Sequence, residues 1–152
     1  ARDLQEVSVA QEIAKVHEFY EASLEEAGVL LRSNDDSRVA ANPRLVRRAI
    51  ANLISNAIKA TPAGGVIEIA CTEQVEETEI RVSNPGSGIA PEALPRIFDR
   101  FYRTDDARSG RAEGHGLGLA IVRAIARMHG GRAFASSDGQ RTVVGFSVRR
   151  AR

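Results

Sequence analysis

Asn52, Asn56 and Lys59 recur at the four-and-three spacing that puts two amides and an ammonium on one face of a helix. Around them Ala49, Ile50, Leu53, Ile54, Ala57 and Ile58 are apolar and suited to burial, so the three polar groups in their midst need polar partners. A phosphate-bearing ligand with its metal ion supplies such partners. A solvated stripe on an ordinary amphipathic helix is the plainer alternative. Two glycine stretches downstream weigh against it. NPGSGI at 84–89 reads as a glycine turn after a strand, and GHGLGL at 114–119 reads as a glycine run that opens a helix. There, unpaired backbone N–H groups and the helix dipole attract phosphate.

The elements that carry these residues follow from periodicity and punctuation. Val9, Ile13, Val16, Tyr20, Leu24 and Ala27 repeat at helical spacing between Ser8 and Gly28, which predicts one helix with a buried face and a glycine stop. Short strands are expected near 29–32 and 38–40. Asn42 and Pro43 then serve as cap and first residue of the polar-striped helix, which Pro62, Gly64 and Gly65 end in a turn. Ile67, Ile69 and Cys71 alternate with Glu68 and Ala70, and Ile80 and Val82 with Glu79, Arg81 and Ser83, so a hairpin of two half-buried strands flanks a Glu-rich turn. A short helix is expected from about Pro91 to Ile97. A polar loop of roughly 15 residues follows, long enough to be a lid. The next helix runs from about Gly116 to Met128, with Leu117, Ile121, Ile125 and Met128 inward, Arg123 and Arg127 outward, and Gly130 as its stop. Val144, Phe146 and Val148 alternate at the end of the chain, after a Ser137-Asp138-Gly139 turn. Mixed helices and strands joined by short turns predict an α/β (α+β) two-layer sandwich: a mixed, mostly antiparallel sheet with helices on one face. No P-loop signature occurs, and GHGLGL lacks the Rossmann spacing and setting.

Composition excludes several classes. The length of 152 residues suits a single domain over 1–152, and 43% hydrophobic with 27% charged residues is the balance of a soluble globular protein. No apolar run approaches the roughly 20 residues that span a bilayer, so no direct membrane contact is expected. A net charge of +1 argues against a nucleic-acid surface. Cys71 is the one cysteine, and His17, His115 and His129 are far apart, which disfavours a disulfide or a zinc site. The start of the chain reads as that of an excised fragment.

With RIFDRFYR at 96–103 between the glycine stretches, the chain resembles the catalytic ATP-binding domain of sensor histidine kinases, in the superfamily of gyrase B, Hsp90 and MutL. The N box (52–60), G1 box (84–89), F box (96–103) and G2 box (114–119) stand in order over nearly the whole length. NPG in the G1 box, FDRFYR, and the upstream HEFYE look most like the heavy-metal-sensor branch. The resemblance implies the Bergerat ATP-binding fold and ATP with Mg²⁺ as cofactors. It implies Asn56 as the metal ligand through its amide oxygen, with Asn52 in support and Lys59 on phosphate. Gly86 and Gly88 would let backbone approach the adenine near Asn84, with Ile89 and Ile97 as apolar walls. Tyr102 would lie beside the nucleotide with Arg103 on its phosphates. Gly114, Gly116 and Gly118 would cradle phosphates, with Leu117 and Leu119 anchoring the helix and His115 able to meet phosphate when protonated. Hydrolytic relatives carry a glutamate base four residues before the metal-binding asparagine; here that place holds Asn52, which favours phosphoryl transfer to histidine over hydrolysis. The implied partners are the kinase's own dimerisation and phosphoacceptor domain and, indirectly, a response regulator, in the cytoplasmic part of a bacterial inner-membrane sensor. That acceptor domain and the sensor region are not expected within these residues, because Ala22 stands where an acceptor motif at His17-Glu18 would need proline.

The pattern departs from the family at three places. Asn84 replaces the usual aspartate that accepts from the adenine amino group, and an amide that can flip predicts poorer discrimination against guanine. Ala60 replaces an aromatic or histidine, and Val144-Gly145-Phe146 replaces Thr-x-Phe, removing a hydroxyl. A noncatalytic nucleotide-sensing module is therefore the main alternative, beside an anti-sigma-type serine kinase or ATPase of the same superfamily, against which Asn52 argues.

Overall fold

The computed structural model describes residues 1–34, 36–86, 88–102 and 117–150. β1 (Gln5–Ser8) leads directly into α1 (Val9–Phe19), and Ser8 caps that helix by accepting from the Gln11 amide at 3.3 Å. Asp36 reinforces the cap from across the chain, accepting from the Ala10 amide at 2.9 Å, the Ser37 amide at 2.7 Å and the Ser8 hydroxyl at 3.1 Å. The Ala10 amide foremost, with Ser8, Ser37 and Arg38, holds the Asp36 carboxyl below its ordinary 3.8 against the opposing effect of desolvation. A depressed folded pKa contributes stability that is complete above the unfolded value and is lost as the pH falls through the folded one. Asp36→Asn is therefore expected to melt below the wild type at neutral pH, the gap closing as the buffer is acidified past about 3.8. Melting curves across that range check it; a gap that did not change with pH would mean the charge is irrelevant to the cap.

The expected single helix over 8–28 is two helices. α1 ends at Tyr20, whose amide is shared between the carbonyls of Val16 and His17, and α2 (Glu21–Ala27) restarts with Leu24 donating to Tyr20. The tightened turn leaves Phe19 largely exposed with its ring edge-on to Tyr20, while Leu24 stays buried. Gly28 at φ 71° closes α2, with the Val29 amide on the Leu24 carbonyl and the Gly28 amide on Glu25, the paired bonds of a left-handed helix stop.

β2 (Leu30–Asn34) and β3 (Arg38–Ala41) follow, and β3 pairs antiparallel with β1 in a small separate sheet. The sequence contained no periodic signal for β1, a strand of four residues. α3 (Pro43–Ala60) starts as expected: Asn42 accepts from the amides of Arg44 and Leu45, and Pro43 occupies the first turn where its missing N–H has no helical partner to lose. Val46, Ala49, Ile50, Leu53, Ile54 and Ala57 form its buried face. The helix returns the chain so that β4 (Val66–Glu73) lies parallel to β2, the one parallel pair among the described strands.

β5 (Glu77–Pro85), β6 (Ala133–Ser137) and β7 (Arg141–Arg149) complete a sheet of order β2-β4-β5-β7-β6. α1, α3 and α4 (Gly118–Met128) pack on one face of it over Ile67, Ile69, Ile80, Val82, Val144, Phe146 and Val148. Each such side chain contributes about 1.5–3 kcal/mol by leaving water. The two-layer mixed sandwich is the expected one. Two elements differ from expectation. Residues 91–97 form turns with a 3-10 segment at Leu94–Arg96, because Pro95 lacks the N–H an α-helix needs there. In α4 the buried seam is Val122, Ile125 and Ala126, whereas Met128 is 48% exposed, so the inward face is rotated from the expected one.

Candidate functional site

The polar stripe of α3 is present. Asn52 and Asn56 are half-buried and Lys59 is exposed, and none of the three side chains has a hydrogen bond or ion pair among the described residues. α4 runs antiparallel to α3 and begins beside the stripe: a Cβ on Gly118 would come within 3.4 Å of Asn52 Oδ1. The first bond closed within α4 is from the Ile121 amide to the Leu117 carbonyl. The amides of Gly118, Leu119 and Ala120 precede that bond, at the positively polarised end of the helix. The far ends of the two helices are also joined. His129, buried at the C-cap of α4, accepts the Asn42 amide on Nε2 at 3.1 Å and donates from Nδ1 to the Ile125 carbonyl at 2.8 Å.

The first glycine turn is fastened on two sides. Gly86, at φ 148°, lies so close to the last turn of α3 that a Cβ would be 3.1 Å from the Ala60 carbonyl oxygen. Gly88, at φ 81°, has no room for one, since it would meet Ser137 Oγ at 2.3 Å. The Ile89 amide donates to the same Ser137 hydroxyl at 3.0 Å, and that hydroxyl is 3.3 Å from Thr142 Oγ1. Asn84 is 5% exposed and lies directly across from Thr142 in the β5–β7 register. Its Nδ2 donates to the Pro85 carbonyl at 2.9 Å, while Oδ1 meets no donor among the described residues. A hydroxyl therefore does stand opposite position 84. Thr142 supplies it, two residues before the Val144 at which its loss was expected.

The F box begins beneath the site. Ile97 and Phe98 are buried, and Ile89, Leu119 and Tyr102 pack partly against the core. The Arg96 guanidinium lies 5.0 Å from the centre of the Tyr102 ring. Asp99 pairs with Arg123 of α4 at 3.6 Å, so Arg123 is not the simple outward charge expected of it. Leu117 and Gly118 are half-buried at the start of α4. Arg103, Gly114, His115 and Gly116 lie outside the described residues.

The structure thus brings Asn52 to the start of α4, and Gly86 to the end of the same α3 that carries Asn52 and Asn56. Sequence reasoning missed Ser137, which read only as part of a turn, and Thr142, Asp99 and His129, whose partners are remote in sequence. Among the described residues no cluster of three or more histidine, cysteine or acidic side chains is arranged to hold a metal. The donors offered are amide oxygens, hard ligands that suit a small divalent cation holding water and phosphate oxygens in its remaining positions.

A mixed sheet under three helices, with helix-borne amides facing the glycine start of another helix, defines the class: a Bergerat-type ATP-binding domain. The chain belongs to the family described as histidine kinase-, DNA gyrase B-, and HSP90-like ATPase, which residues 41–152 match. It is 45% identical over 137 residues to the sensor histidine kinase CusS of Escherichia coli K12, covering 90% of this chain and 28% of that protein. The chain therefore spans less than a third of the length of this relative. The solved catalytic domain of the histidine kinase ThkA superposes with a TM-score of 0.83 at 27% identity, over 97% of this chain and 96% of that one. Full-length ShkA in complex with AMPPNP matches with a TM-score of 0.84 at 26% identity, over 99% of this chain and 32% of that one. ThkA in complex with the response regulator TrrA matches at 0.79 and 25% identity, over 97% of this chain and 42% of that one.

Proposed function

We propose that residues 1–152 are the catalytic unit of a sensor histidine kinase, which binds Mg²⁺-ATP and gives the γ-phosphoryl group to a histidine on the kinase's separate dimerisation domain. The observation that carries this reading is the meeting of Asn52 with the start of α4, on the helix face that also carries Asn56, with an amide and no carboxylate at position 52. Asn56 would hold the ion through its amide oxygen, and the ion would supply charge neutralisation on the β- and γ-phosphates. Asn52 would support Asn56, and Lys59 and Arg103 would hold phosphate. The amides of 118–120 point from a helix N-terminus, and Gly114, Gly116 and Gly118 would allow close approach of phosphate, which His115 would meet when protonated. Asn84, Gly86, Gly88, Ile89, Ile97 and Tyr102 would surround the base, as Leu117 and Leu119 fix the helix.

Phosphoryl transfer needs positioning more than a base, because a neutral imidazole already offers a lone pair. A P–N bond forms as the bond from γ-phosphorus to the bridging oxygen breaks, ADP leaves with the electron pair, and the imidazole sheds its ring proton to solvent. With Asn52 in place of glutamate no side chain there can activate water, which leaves the phosphoryl group for the histidine. The response regulator would receive it next, as a partner of the kind seen with ThkA. The same reading puts the domain on the cytoplasmic side of a bacterial inner-membrane sensor, in the branch that resembles heavy-metal sensors. No described helix is long and apolar enough to cross a membrane.

Calorimetric titration of this chain with ATP, with and without Mg²⁺, followed by transfer of labelled phosphate to the dimerisation domain of the full-length kinase, tests the proposal. Magnesium-enhanced binding and an acid-labile phosphohistidine are expected. Binding without transfer would favour the noncatalytic nucleotide-sensing module instead.

A further inference from the structure

We infer, on the basis of the nucleotide reading above, that Asp99 is a positioning residue: it couples the base side of the site to the phosphate side by tying the segment that carries Tyr102 to the helix that begins beside Asn52. Asp99 Oδ1 pairs with Arg123 of α4 at 3.6 Å, and Oδ2 faces Arg96 Nε at 4.0 Å. Arg96 in turn lays its guanidinium 5.0 Å from the centre of the Tyr102 ring, within reach of a cation–π contact. A continuous line of side chains thus runs from α4 through one carboxylate to the aromatic ring. Among the described residues, Asp99–Arg123 is the ion pair that joins residues 96–102 to α4.

The backbone is bent to make this line. Phe101 has φ 66°, in the left-handed region, and its side chain is largely exposed, so burial of its own ring does not account for the strain. Such a conformation persists where neighbouring contacts over-determine it. The Asp99 amide donates to the Arg96 carbonyl at 2.9 Å and the Tyr102 amide to the Asp99 carbonyl at 3.2 Å, two consecutive turns that bring Arg96, Asp99 and Tyr102 together. Ile97 and Phe98 anchor the segment in the core. Arg123 lies five residues along α4 from Gly118, about 7.5 Å on the helix axis. A shift of the helix start therefore carries Arg123 with it, and the pair passes the shift to Asp99.

Charge alone would act in the other direction. A carboxylate near a triphosphate repels it, so through-space electrostatics predicts tighter binding when Asp99 is neutralised. Positioning predicts weaker binding. Calorimetric titration of this chain with Mg²⁺-ATP separates the two. Asp99→Asn is expected to weaken binding by about 3- to 5-fold, the upper part of the range for a partly exposed ion pair. Asp99→Arg sets three guanidinium groups together and is expected to weaken it by about 10-fold or more. Adding Arg123→Asp to Asp99→Arg restores an ion pair to α4 and should recover at least about threefold of that loss. In a Tyr102→Ala background the line has lost its far end, so Asp99→Asn should weaken binding no further. Melting temperatures of the Asp99 and Arg123 variants should stay within about 4 °C of the wild type, as befits a pair at the surface. Unchanged or tighter binding by Asp99→Asn, no recovery in the double variant, or an equal loss with and without Tyr102 would each overturn the inference. Failure of the unaltered chain to bind ATP would remove the nucleotide reading and this inference with it, and is distinguishable because the wild type itself would then give no signal.

Discussion

Asn56→Ala is expected to lower affinity for Mg²⁺-ATP by about 100-fold or more, while the melting temperature stays the same or rises slightly. The two halves of this result have separate causes. Replacing a mere hydrogen-bond partner of a metal ligand already costs about 10- to 100-fold in metal affinity, so losing the ligand itself should cost at least the upper figure. Stability is spared because Asn56 makes no hydrogen bond to the described protein and is only half-buried, and alanine is the better helix former by several tenths of a kcal/mol. Ser55→Ala, one residue off the stripe on the same helix, is the control and should leave binding unchanged. Titrations with ATP in the presence and absence of Mg²⁺ separate the two components. If Asn56→Ala bound Mg²⁺-ATP within about threefold of the wild type, an amide at 56 would not be a ligand and the stripe would be a solvated face after all.

Gly131→Ala carries the second large effect, on folding rather than on the ligand. Gly131 lies between α4 and β6, and a Cβ there would be 1.9 Å from the Ser147 carbonyl oxygen and 2.5 Å from its carbon. Those are backbone atoms of β7, fixed by the Ser147 amide on the Arg132 carbonyl at 2.8 Å and by the Arg132 amide on Ser147 Oγ at 3.0 Å. No rotamer can relieve the clash, so either β7 moves or Gly131 does, at about 3 kcal/mol or more. For a domain of this size that is a fall of roughly 6–12 °C in melting temperature. Gly139→Ala makes the contrast: at φ 88° it is conformationally strained, yet nothing lies within 4 Å of its Cβ position, so only about 1–2 kcal/mol is expected. Equal melting temperatures for the two variants would mean that the close approach at 131 relaxes without cost.

What could be read from the sequence was what is encoded locally. Asn42-Pro43 starts α3 because cap and fixed φ are adjacent in the chain, and the Ile67–Cys71 and Ile80–Val82 alternations name their own buried face. The first glycine turn, with Gly86 and Gly88 at positive φ, was legible for the same reason. The parts that escaped depend on partners far away. Thr142 faces Asn84 only because β7 pairs with β5 in one register, and a strand's register does not appear in either strand alone. β6 is an edge strand of small residues with little hydrophobic contrast, so its sequence AFASS carries no clear period. The α4 seam was misjudged because Ile121, Val122, Ile125 and Met128 allow more than one inward face, and packing against α3 decides between them. Tyr20 continues a helical period that the fold interrupts, since a helix-forming sequence does not state where tertiary packing will bend it.

The His129 link has a mechanical consequence. A bracket pinned at one end cannot slide there, and the Asn42–His129 bond pins α4 to the first residue outside α3, while Asn52 and Gly118 meet further along the pair. Axial slip of α4 along α3 would break that bond and withdraw the buried Val122–Ile125–Ala126 seam from its contacts. The two helices are thus coupled levers with a common fulcrum at His129, and an ion or phosphate group held between Asn52 and the start of α4 would brace the angle between them.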